Sequence, residues 1–135
     1  MGLGNKKSAL DNLAKAIALD PNNADVYFNS AIIKEEGQEF EQAILDYDKA
    51  IKLNPKDAAS FAGRANCKAG MDDFGAALAD MDEAIELDGK NASYYKQRGN
   101  FHYQLKDTGK ACSDWKQAVQ LGDVKAKYSV DQYCK

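Results

Sequence analysis

A step of 34 residues governs this chain. Ala43, Ala77 and Ala111 lie 34 apart, as do Tyr47, Met81 and Trp115, then Ala50, Ala84 and Ala118, then Ile51, Ile85 and Val119. One step backwards reaches Ala9, Leu13, Ala16 and Ile17. Within a copy these residues fall three to four apart, so they share one face of a helix. A second series, Tyr27, Phe61 and Tyr95, marks another helix ahead of each of the last three copies. Such a period is the mark of stacked repeats, in which no unit buries its apolar face alone.

Composition fits that reading. The 135 residues, 44% hydrophobic, suffice for one domain with a core. Both prolines, Pro21 and Pro55, fall at helix ends, as an all-helical chain requires. The net charge is −3 with Lys and Arg dispersed, which gives no nucleic-acid footprint. No apolar run approaches a membrane span, and the N-terminus lacks the apolar stretch of a signal peptide. Gly2 invites a myristoylation reading, but Lys6 stands where that motif needs Ser or Thr. Asn91-Ala92-Ser93 is a glycosylation sequon that also reads as a plain turn between repeats.

Taken in order, the residues resemble the tetratricopeptide-repeat (TPR) family. The family pattern of a large aromatic, small residues, Ala-x3-aromatic and a closing Pro reads here as Tyr27, Ala31, Ala43, Tyr47, Ala50 and Pro55. The next copy gives Phe61, Ala65, Ala77, Met81 and Ala84, with Gly89 in place of Pro; the third gives Tyr95, Gly99, Ala111, Trp115 and Ala118, with Asp123 there. The resemblance covers nearly the whole chain and implies an all-α right-handed superhelix with a C-terminal capping helix.

The expected organisation is one domain over 1–135: a half repeat at 8–21, full repeats at 24–57, 58–91 and 92–123, and a cap at 124–135. The helices are placed at 8–19, 24–36, 40–53, 58–70, 74–87, 92–105, 108–121 and 124–133. Thr108, where earlier copies have Phe40 and Phe74, is expected to cap its helix. The last helix is expected to turn Val124, Tyr128 and Val130 inward. Leu10, Leu13, Ala16 and Ile17 lack a preceding helix and can lean only on the one from Ala24. This start predicts further repeats upstream or a second surface on that face, and the polar-backed cap predicts a natural C-terminus.

Three recurring positions carry charge. Asp46, Asp80 and Asp114 sit beside the packing stripe of the second helices, and Ser30, Arg64 and Arg98 replace an apolar residue on the first. Internal ion pairs follow: Arg64 with Asp46 or Asp80, and Arg98 with Asp80 or Asp114. His102 occupies the slot held earlier by Lys34 and Lys68, and is read as a packing or surface residue. No Gly-rich phosphate loop, catalytic triad or metal spacing appears, so neither enzyme activity nor a cofactor nor a metal is expected.

Cys67 reads as core. For Cys112 and Cys134, the rise along an antiparallel helix pair brings both thiols to a similar height. They are a candidate disulfide in an oxidising compartment, or else two unrelated thiols. The Ala-Cys-x-Asp-Trp helix, the Leu-Gly-Asp turn and the Tyr-Cys ending also resemble exported bacterial TPR proteins, which favours the bridge. The compartment stays open between exported or periplasmic and cytoplasmic.

By the same resemblance, first helices line a concave surface. It would carry Asp25, Phe28, Asn29, Ile32 and Glu35, then Ala59, Ala62, Gly63, Asn66 and Ala69, then Ser93, Lys96, Gln97, Asn100 and Tyr103. The middle repeat supplies little bulk there, so the groove should be deepest at Ala62. Asn29, Asn66, Gln97 and Asn100 can each donate and accept along an extended peptide. Phe28, Ile32 and Tyr103 offer apolar anchors, and Lys96 opposes Asp25 and Glu35 in a weak charge gradient. The expected function is a non-catalytic scaffold, monomeric, that holds a peptide segment or helix of another protein. The alternative is self-association through 8–19, or a fragment of a longer array. One subclass of the family clamps the acidic tails of Hsp70 or Hsp90 with basic side chains. Phe28, Ile32, Gly63, Ser93 and Gln97 stand in those slots, which disfavours that ligand.

Overall fold

The computed structural model describes residues 3–135, over which the chain forms eight helices in sequence. They are α1 (Leu3–Leu19), α2 (Ala24–Glu36), α3 (Phe40–Leu53), α4 (Ala58–Gly70), α5 (Phe74–Leu87), α6 (Ala92–Gln104), α7 (Thr108–Gln120) and α8 (Ala126–Tyr133). Gly2, and with it the myristoylation reading, lies outside the described residues. Consecutive helices pack on one another, and α2 also touches α4. The architecture is therefore an all-α stack.

Local chemistry sets the helix ends. Asn23, Asp57 and Asn91 cap α2, α4 and α6, each side chain accepting from the backbone N–H two residues on. Asp73 and Asp107 cap α5 and α7. Thr108 is thus not the cap, because the Asp107 carboxylate already takes the Lys110 N–H. Within each helix pair the chain reverses through a residue with positive φ: Gln38 at 61°, Asp72 at 62° and Lys106 at 64°. Left-handed backbone at a non-glycine residue costs about 1 kcal/mol. Each of these residues donates its N–H three residues back, to Glu35, Ala69 and Tyr103. Turns so short force antiparallel neighbours.

The repeating positions form the core. Ala43, Ala77 and Ala111 are fully buried, as are Ala84 and Ala118, with Tyr47, Met81 and Trp115 beside them. Small residues let the paired helices approach, and the bulky one fills the gap to the next pair. Cys67 joins this core beside Tyr47.

Charge is buried in a regular pattern as well. The Arg64 guanidinium grips Asp80 through two bonds of 2.8 and 2.7 Å and reaches Asp48 at 2.7 Å with its remaining nitrogen. Arg98 repeats this one step on, with Asp114 at 2.8 and 2.7 Å and Asp82 at 3.0 Å. Each arginine therefore ties its own second helix to the preceding one. Arg64 does not pair with Asp46, nor Arg98 with Asp80. Asp46 is held instead by Ser30 at 2.6 Å and Lys34 at 2.8 Å. Lys68 adds a bond to Asp80 at 2.8 Å, and His102 stands 3.7 Å from Asp114. The slot shared by Lys34, Lys68 and His102 thus faces the recurring aspartate.

Both ends differ from expectation. α1 starts five residues ahead of residue 8, and Lys6 pairs with Glu39 at the start of α3. At the other end α8 starts at Ala126, because Asp123 accepts the N–H groups of Lys125 and Ala126. Val124 is left in the preceding turn, 81% exposed, and Tyr128 is 70% exposed. Ala126 is buried and Val130 half-buried, and Tyr133, 41% exposed, follows on the same side, spaced four and three apart. Tyr133 stacks on Tyr103 and Trp115, with ring centres 4.7 and 5.8 Å away. Cys112 and Cys134 are joined as a disulfide with their Cα atoms 5.7 Å apart, fastening the end of α8 to α7.

Candidate functional site

The first helices α2, α4 and α6 meet at a cleft of about 290 Å³. Its floor is small because α4 carries Ala59, Ala62 and Gly63 there. Phe28 and Ile32 of α2 form one wall, and Tyr94 and Gln97 of α6 the other. Asn66 lies further along α4, and Glu35 and Glu36 close the end of α2.

Tyr47 enters from α3 beneath Gly63. A methyl group on Gly63 would stand 2.3 Å from the Tyr47 ring, so only glycine lets the phenol through. The Tyr47 hydroxyl donates to Glu35 Oε1 at 2.7 Å, and Phe28 meets the Tyr47 ring edge-on at 6.0 Å. Burial pushes the Glu35 carboxyl above the usual range, although hydrogen bonds from Tyr47 and the Cys67 thiol pull the other way. Burial, then the Glu35 charge, pushes the Cys67 thiol up to about 12. It is a protonated donor at neutral pH, without the thiolate that nucleophilic chemistry needs.

The lining combines three aromatic rings, two carboxylates and two amides, with no Lys, Arg or His among the described residues. Gln97 donates through Nε2 to Ser93 at 2.8 Å, while its buried Oε1 finds no donor among the described residues. The cleft therefore presents apolar surface, amides and carboxylates, with no cationic side chain in its lining. Among the described residues there is no grouping of His, Cys, Asp and Glu suited to a metal ion. No helix of the described residues is long and apolar enough to cross a membrane.

Of the groove residues expected from sequence, Phe28, Ile32, Glu35, Ala59, Ala62, Gly63, Asn66 and Gln97 line this cleft together. Asn29 and Lys96 lie outside its lining. Asn100 accepts the Trp115 indole N–H at 3.0 Å, and Tyr103 is stacked under Tyr133, so both serve the junction of α6, α7 and α8. Glu36, Tyr47 and Tyr94 were not anticipated here. Tyr94 is off the 34-residue register that singled out Tyr95, and the doublet Tyr94-Tyr95 was the available signal.

Stacked helix pairs with a cleft along their first helices define a helical-repeat scaffold. The family model described as a tetratricopeptide repeat matches residues 1–58, and the helical-repeat fold of the chain is similar to that of solved tetratricopeptide-repeat structures. The crystal structure of MamA is similar at 19% identity and a TM-score of 0.85, over 96% of this chain and 81% of that one. The first TPR of Spaghetti (RPAP3), bound to the HSP90 peptide SRMEEVD, is similar at 19% identity and 0.78, over 82% and 90%. The Arabidopsis OM64 TPR domain is similar at 26% identity and 0.79, over 82% and 93%. No curated protein sequence matches this chain.

Proposed function

We propose that this protein is a non-catalytic scaffold that holds an extended segment of another protein in the cleft of α2, α4 and α6. The observation that carries this reading is the convergence of Ala59, Ala62 and Gly63 between a Phe28–Ile32 wall and a Tyr94–Gln97 wall. Small residues on the floor admit a peptide backbone, and aromatic walls supply the anchors that dominate binding. The SRMEEVD peptide of the RPAP3 structure is acidic. A cleft with Glu35 and Glu36 and no cation does not suit such a ligand, which agrees with the absence of basic residues from the clamp slots.

The test is occlusion. Ala59→Trp fills the cleft from a half-buried position without removing a core side chain. Partners retained from the source lysate by wild type and lost by this variant, with unchanged circular dichroism, support the reading. Equal retention refutes it.

A second reading, self-association through α1, is favoured by its apolar face. Leu10, Leu13 and Ile17 are half-buried on α2, and Leu19 is 87% exposed. It requires a mass that rises with concentration in sedimentation; a constant monomer mass removes it.

A further inference from the structure

The chemistry of the cleft narrows what can occupy it. Its charged groups are all anionic, the carboxylates of Glu35 and Glu36, and beside them the Oε1 of Gln97 finds no donor among the described residues. Its apolar surface includes the rings of Phe28, Tyr47 and Tyr94, whose faces attract cations. At the junctions between helices the chain supplies its own cations to several carboxylates. Asp46 has Lys34, Asp80 has Arg64 and Lys68, Asp114 has Arg98, and Glu39 has Lys6. Among the described residues the hydrogen bond to Glu35 comes from the neutral Tyr47 hydroxyl, and no cation pairs with it. The one carboxylate end of the cleft is thus left complementary to a positive charge brought from outside.

We propose that the occupant is an extended partner segment bearing a lysine or arginine, its charge held by Glu35 and Glu36 and its methylene stem laid against Phe28 and Ile32. This rests on the cleft being the binding site. The stem of such a side chain covers apolar surface while its head stays polar, which suits an aromatic cleft with an acidic end. Salt bridges at a half-open cleft weaken with ionic strength, so the binding should fall as salt rises.

The test uses a positional-scanning library of hexapeptides, acetylated and amidated so that the termini carry no charge. Binding is read by fluorescence anisotropy, and the site by amide shifts of Phe28, Ile32, Asn66 and Gln97. Wild type is compared with Glu35→Gln/Glu36→Gln, which keeps side-chain size and is checked for folding. The expected result is a preference of roughly tenfold for Lys or Arg over glutamine at one position, lost in the double variant. Peptides that shift the cleft resonances with no basic preference, or with an acidic one, overturn the cation inference and leave the cleft as the binding site. Peptides that shift only α1 or α8, or a library without a binder, overturn both.

Discussion

Asp80 and Glu35 are both withdrawn from water, and the fold treats them in opposite ways. Burial raises Asp80, but hydrogen bonds and charge from Arg64 and Lys68 outweigh it and hold the carboxyl below the usual aspartate range. Burial also raises Glu35, and there the neutral donors Tyr47 and Cys67 do not reverse the effect. Between helices, every recurring aspartate has a cationic or hydroxyl partner from its own chain. In the cleft, which opens to solvent, the Glu35 carboxylate has no cationic partner among the described residues. The difference separates groups that hold the stack together from groups that the proposed ligand would meet.

Removing Asp80 should have the largest effect. Asp80→Ala leaves Arg64 and Lys68, 20% and 26% exposed, without their shared carboxylate and should cost about 3 kcal/mol in urea unfolding. A loss below about 1 kcal/mol would place this pair with ordinary surface ion pairs. Gly63→Ala comes next. The new methyl group collides with the Tyr47 ring and should cost about 2 kcal/mol while detaching the phenol from Glu35. Stability equal to wild type would mean that Tyr47 is free to move and does not shape the cleft.

These two predictions show how legible the molecule was. The 34-residue step located the core directly, since Ala43, Ala77 and Ala111 are fully buried. It also marked Asp80 and Asp114 as partners of arginine. Asp48 and Asp82 escaped notice because their side chains are 48% and 63% exposed and read as solvated charges. Which residue lies over Tyr47 is a matter of helix crossing, so the role of Gly63 could not be read from spacing. The cap was misread because Val124 and Tyr128 look apolar in sequence, whereas the start of α8 is decided by the Asp123 carboxylate. Tyr103 was assigned to the groove for want of knowing that Tyr133 folds back onto it.

The pH dependence should divide the two carboxylates further. The folded Asp80 carboxyl lies below its unfolded value of about 3.9, so its contribution is complete above that pH and is lost as pH falls through the folded value. Glu35 has the opposite sign. Its folded value is raised, so its cost to stability is complete above that value and disappears as pH falls below the unfolded value of about 4.3. The smallest effect follows: Glu35→Gln should leave stability at pH 7 equal to or above wild type and match wild type in acid. A destabilised Glu35→Gln would show that the carboxylate serves the fold rather than a ligand.

The most direct measurement is a titration of the side-chain carboxyl carbons of Glu35 and Asp80 by NMR in the unliganded protein. Glu35 should titrate above the ordinary glutamate value of about 4.3 and Asp80 below the ordinary aspartate value of about 3.9. A Glu35 that titrates at or below its ordinary value would mean that the chain already neutralises it, and the cleft would hold no charge in reserve for a partner.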